Sequence, residues 1–189
     1  MEREFYSEMA KQTYADSPLH SINGYTLVQS TPTLKFYMKG NIVVVAVRGT
    51  KGVSDLMADA SLPFGTLSNT SRFRQDLAYL QNFQQKYPKG EYTYYATGHS
   101  LGGAIIDEFI KRGLINSAYS FNPAVSSNVS NHERIYQQDD PLYKTMGRFA
   151  KGTEVRTKSK NILESIASRV AGLPYSIYSG ITSHSLGRF

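Results

Sequence analysis

The sequence contains no cysteine, which excludes a disulfide framework and any thiolate metal site. That absence fits a reducing compartment and is equally compatible with export. Long apolar runs are missing too. The longest, Ile42 to Val47, is far too short to span a bilayer. The opening residues, MEREFYSEMAKQ, are charged and lack the apolar core of a secretory leader, so an intracellular location is the expectation. Neither an internal repeat nor a low-complexity tract interrupts the chain. Acidic residues are scarce in the last quarter. There Lys144, Arg148, Lys151, Arg156, Lys158, Lys160, Arg169 and Arg188 face only Glu154 and Glu164, which accounts for the whole net charge of +6. Such a cluster reads either as a patch for an anionic lipid surface or nucleic acid, or as a solvated face. No aromatic residues interleave with the basic ones in the manner of a nucleic-acid module, so no nucleic-acid partner is expected.

What is present is ordinary for a globular chain: 189 residues, 40% hydrophobic and 12% aromatic. That length suits one domain over residues 1–189 with a single core. Periodicity and breakers predict helices at 2–15, 72–87, 101–112 and 161–171. They predict strands at 25–29, 34–38, 42–47, 91–97, 117–121, 133–138 and 154–158. Lys39-Gly40-Asn41 suits a hairpin connection. The run Val43-Val44-Val45-Ala46-Val47 has no polar alternation, as expected of a strand covered on both faces. Strands alternating with helices imply a mostly parallel sheet flanked by helices, a compact α/β domain.

The chemistry concentrates between the strand ending at Thr97 and the helix starting at Leu101. Gly98-His99-Ser100-Leu101-Gly102-Gly103 is a G-x-S-x-G motif in a strand-to-helix turn, the context that gives that motif its meaning. A serine projecting from such a turn needs a strained backbone and neighbours without side chains. The following helix aims its free N–H groups and positive dipole end at the place where an oxyanion forms. The plainer readings are a glycine-rich turn with a chance serine, or a phosphate-binding nest.

Ala46-Val47-Arg48-Gly49-Thr50, then Asp55 and Asp59, the Ser100 motif, and Phe121-Asn122-Pro123 together resemble the class 3 lipases, a fungal-lipase-like group. The resemblance runs over residues 42–141 and returns at His184. It implies an α/β-hydrolase-type fold. It also assigns Thr50 and the Leu101 N–H to an oxyanion hole and makes Asp59 structural. In this fold the chain order is nucleophile, acid, histidine. His20 precedes the motif, His99 belongs to it and His132 precedes the acid, which leaves His184 as base. The acid lies in Gln138-Asp139-Asp140-Pro141; the family's Asp-Pro turn favours Asp140, with Asp139 as the alternative.

The expected activity is therefore carboxylic-ester hydrolysis, with lipid esters favoured by the resemblance. Ser100 is the nucleophile, His184 the base and Asp140 its partner. No metal and no organic cofactor is called for. Apolar residues at 56–67 suit a lid or lipid contact, so peripheral contact with a lipid surface is the expected partnership; oligomeric state is left open. Two rivals belong to other classes. One is a degenerate hydrolase fold serving as a binding or structural protein, and the other is an anion- or nucleic-acid-binding α/β module using the basic last quarter.

Overall fold

Val43, Val44, Val45, Ala46 and Val47 are all completely buried. A strand of this composition has no face to offer water, so it can only lie inside a sheet covered on both sides. The computed structural model describes residues 2–50 and 66–156. In it the strand Ile42–Val47 (β4) is an inner member of an eight-stranded sheet.

The sheet begins with β1 (Ser21–Ile22), β2 (Tyr25–Ser30) and β3 (Leu34–Lys39), each antiparallel to the next, with β3 antiparallel to β4. Gly40 and Asn41 make the β3–β4 turn, where Lys39 pairs with Ile42 and Gly40 takes the left-handed φ of 58°. From β4 onward the pairing is parallel, through β5 (Thr93–His99), β6 (Ser117–Phe121), β7 (His132–Gln137) and β8 (Thr153–Arg156). Strand order in the sheet equals strand order in the chain.

Alternate residues of β4 sort the helices. Val43, Val45 and Val47 pack with the helices α2 (Ser71–Lys86) and α3 (Leu101–Lys111) through Phe73, Leu80, Phe83, Ile105 and Phe109. Val44 and Ala46 face α1 (Glu2–Gln12) through Tyr6, Met9 and Ala10. The mostly parallel sheet flanked by helices is thus present as expected. α2 begins at a genuine cap: the Thr70 hydroxyl accepts from the Phe73 N–H at 3.1 Å.

Boundaries moved where tertiary contacts outweigh local preference. α1 stops at Gln12 rather than Ala15, because Thr13, Tyr14 and Ala15 bond back three residues instead of four. The Thr13 hydroxyl also takes the Ala10 carbonyl at 2.7 Å. β5 runs two residues past Thr97, since Gly98 and His99 pair with Ser120 and Phe121. β1 was not expected at all. A short helix α4 (Pro141–Thr145) follows β7. The expected helix at 161–171 lies outside the described residues.

Candidate active site

β5 delivers the chain to Ser100 and α3 carries it away. Between them Ser100 adopts φ 55° and ψ −128°, a conformation that costs a non-glycine residue about 1–3 kcal/mol. It persists because its surroundings fix it from several directions. The Ser100 carbonyl accepts from the Gly103 and Ala124 N–H groups, both at 2.9 Å. A side chain at Gly102 would strike the Val47 carbonyl oxygen, and one at Gly103 would strike the Pro123 ring. The two glycines let α3 start directly against β4 and the loop after β6. Ser100 is 1% exposed, and among the described residues its Oγ has no hydrogen-bond partner. Native folds rarely leave a buried hydroxyl idle, and reactive groups are a recurrent reason for the exceptions.

Two more elements end beside this turn. The parallel register of Val47 with Gly98 carries Arg48-Gly49-Thr50 alongside His99-Ser100-Leu101. The approach is close, because a Cβ on Gly49 would lie 2.5 Å from the His99 carbonyl oxygen and 3.0 Å from the Ser100 Cβ. Half-buried Thr50 comes next. On the other side, Asn122 has φ 43°, and its side chain accepts from the Gln137 N–H at 2.9 Å, tying β6 to the end of β7. Asp140 then follows, completely buried, at the same carboxyl edge of the sheet as Ser100. Its Oδ1 accepts from the Leu142 and Tyr143 N–H groups at 2.8 and 3.3 Å and caps α4. Asp139 is only half-buried. Sites in open α/β sheets gather at this carboxyl edge.

No family model matches the sequence, and no curated protein matches it. Solved structures do. A fungal lipase superposes with a TM-score of 0.55 at 20% identity, covering 85% of this chain and 80% of that one. A mutant form of MDLA from Penicillium cyclopium gives 0.54 at 21% identity, over 85% and 80% of the two chains. Rhizomucor miehei triacylglyceride lipase gives 0.53 at 13% identity, over 82% and 78%. The chain has the fungal-lipase fold. His184, Asp55, Asp59 and residues 56–65 lie outside the described residues. Thr50, Ser100, Leu101 and Asp140 are brought to one edge of this fungal-lipase sheet.

Sequence reasoning missed the groups that hold that edge. Tyr14, just past α1, accepts from the Gly49 N–H at 3.0 Å and lies 3.0 Å from His99 Nδ1. Burial pushes its phenol up to about 12, so it keeps its hydrogen at neutral pH. The arrangement that leaves no donor idle has Tyr14 donating to His99 Nδ1. From the opposite face, Arg72 Nη2 donates to the Arg48 carbonyl at 2.5 Å and its Nε to Asp76 at 2.7 Å. Thr33 donates its hydroxyl to the same carboxylate. Burial pushes the Asp76 carboxyl up, opposed by Arg72 beside it. One signal was available: Asp76 interrupts the apolar stripe of α2, and Arg72 stands four residues before it.

A serine, a histidine and an aspartate meet around His132. His132 Nε2 is 2.6 Å from the Ser120 hydroxyl, and His132 Nδ1 is 2.7 Å from Asp107. All three are completely buried, and Arg134, buried with them, pairs with Asp107. Asp107 also accepts from the Ser126 N–H at 3.0 Å, and Glu108 from the Ser127 hydroxyl at 2.8 Å. The cluster anchors residues 122–131, which join β6 to β7 without a helix. A group sealed in this way does not meet a substrate. It does titrate with folding: burial holds the His132 imidazole below its ordinary 6.5, opposed by Asp107. The unfolded chain therefore binds a proton that the folded chain refuses, and stability should fall as pH drops below about 6.5. Urea unfolding at pH 7.5 and 5.5 checks this. His132→Gln should be less stable at pH 7.5 and should show a shallower loss on acidification. A variant with the wild-type slope would remove His132 from the account.

Proposed function

We propose that the protein is a serine carboxylic-ester hydrolase acting on lipid esters. The observation that carries this reading is Ser100 itself: a strained residue, fixed by its neighbours, with a buried hydroxyl that has no partner among the described residues, at a strand-to-helix turn. In the proposed reaction the Ser100 oxygen attacks the ester carbonyl while His184 takes its proton. The tetrahedral oxyanion is held by the N–H groups of Thr50 and Leu101, the second of which opens α3, where N–H groups find no partner within the helix itself. Collapse expels the alcohol, protonated by His184, and leaves an acyl group on Ser100. Water then attacks that acyl group with His184 again as base, releasing the acid and restoring the enzyme. Asp140 fixes the imidazole tautomer and balances its charge. The reaction as written uses neither metal nor cofactor.

The lipid substrate is inferred from the fold, whose structural neighbours include a triacylglyceride lipase. A fluorophosphonate tests the nucleophile. One equivalent should attach to Ser100, with hydrolysis of p-nitrophenyl and glyceride esters lost in step. Ser120 should stay unlabelled, because it lies inside strand β6 rather than at a strand-to-helix turn, and Arg134 and Asp107 close round its histidine. An unreacted protein, or a label on another serine, would remove the proposal.

A further inference from the structure

The peptide unit between Arg48 and Gly49 is gripped at both ends. Its carbonyl accepts from Arg72 Nη2 at 2.5 Å, and its N–H donates to the Tyr14 hydroxyl at 3.0 Å. The two partners come from opposite faces of the sheet, because Arg72 belongs to α2 and Tyr14 follows α1. Each is itself held. Arg72 is fixed by Asp76, which Thr33 braces in turn, and Tyr14 reaches His99 Nδ1 at 3.0 Å. The Tyr14 oxygen therefore touches two strand ends at once. One neighbour, Gly49, precedes Thr50; the other, His99, precedes Ser100.

Resting on the hydrolase reading, we propose that Tyr14 and Arg72 are positioning residues for ester hydrolysis. They fix the separation between the Thr50 N–H and the Ser100 nucleophile by clamping the peptide one residue ahead of Thr50. Neither touches substrate. Their contribution is geometric: an oxyanion donor works only at hydrogen-bond distance from the place where charge develops. Gly49 makes the clamp necessary. With no side chain it lets the strand end press against the elbow, and it also leaves the backbone free to swing unless its peptide is tied. The Arg72 grip needs a planar fork, since one guanidinium must serve the Asp76 carboxylate and the Arg48 carbonyl together.

Tyr14→Phe keeps the ring and removes the shared oxygen. With p-nitrophenyl butyrate, kcat should fall by about 10- to 100-fold, in line with the cost of misplacing a catalytic group by a fraction of an ångström to an ångström. KM should stay within about twofold, because ground-state binding does not use the oxyanion donors. The inhibition constant of a trifluoromethyl ketone, whose serine adduct carries an oxyanion, should weaken by the same factor as kcat. Arg72→Lys keeps the charge and loses the fork, and it should give the same pattern; it decides the matter if Tyr14→Phe does not fold. A lowered melting temperature with unchanged kcat and unchanged ketone affinity would make both residues merely structural and overturn the inference. A wild-type protein inert to the ester and to a fluorophosphonate would instead overturn the hydrolase reading beneath it.

Discussion

Ser100→Ala is expected to lower ester turnover by about 10⁶, the typical cost of deleting the nucleophile from a serine-histidine-aspartate enzyme. The fold should not suffer. Alanine keeps the Cβ that already sits at φ 55°, and the contacts that fix the turn belong to the Ser100 carbonyl and to the neighbouring glycines. The hydroxyl that disappears has no hydrogen-bond partner among the described residues, so its loss breaks none of the contacts described there. Melting temperature should therefore hold while activity vanishes. Steady-state hydrolysis and a thermal melt on the same preparation check both halves. An alanine variant retaining most of its rate would end the assignment of Ser100. A large drop in melting temperature would show instead that the hydroxyl is structural.

Asp140→Asn should cost about 10⁴ in turnover, because an amide in place of the carboxylate lets the histidine rest in the wrong tautomer and leaves the imidazolium unbalanced. This substitution separates two roles of one side chain. Asp140 also caps α4, accepting from the Leu142 and Tyr143 N–H groups. An asparagine oxygen can accept those same bonds, since asparagine and aspartate cap about equally well. The capping role thus survives while the charge is lost. Asp139→Asn, at a half-buried position, should change turnover by less than about threefold, as surface substitutions away from a site generally do little. Turnover and melting temperature for both variants decide the pair. If Asp139→Asn were the crippled one, the acid would have been placed one residue too late.

The parts of this molecule legible in the sequence are those written in contiguous residues. Ile42–Val47 emerges at its expected bounds because an unbroken apolar run between breakers has few alternatives, and Ser117–Phe121 does so because Asn116 and Asn122-Pro123 bracket it. The serine turn is legible because Gly98, Ser100, Gly102 and Gly103 meet steric demands within one short segment. Tyr14 was invisible for the opposite reason. Its partners His99 and Gly49 lie 85 and 35 residues away, and only the last turn of α1, tightened by Thr13, turns it toward them. β1 is two residues long and exists through its pairing with β2, so it has no period to detect. His132 was set aside on chain order. Nothing local announced, however, that Asp107, Ser120 and Arg134 would enclose it.

Because strand order in the sheet repeats strand order in the chain, each strand finds its place beside the one synthesised just before it. Among the described residues no strand pairs out of chain order, and the longest stretch between paired neighbours is residues 48–92, between β4 and β5. At each stage the sheet has β1 at one edge and its newest strand at the other. The groups of the proposed reaction arrive in the same order. Thr50 comes with β4, Ser100 with β5 and Asp140 only after β7. A chain ending after β6 carries Ser100 and still lacks the carboxylate of Asp140. In the proposed reaction both partners of Ser100 therefore come late in the chain, since Asp140 and His184 follow β7.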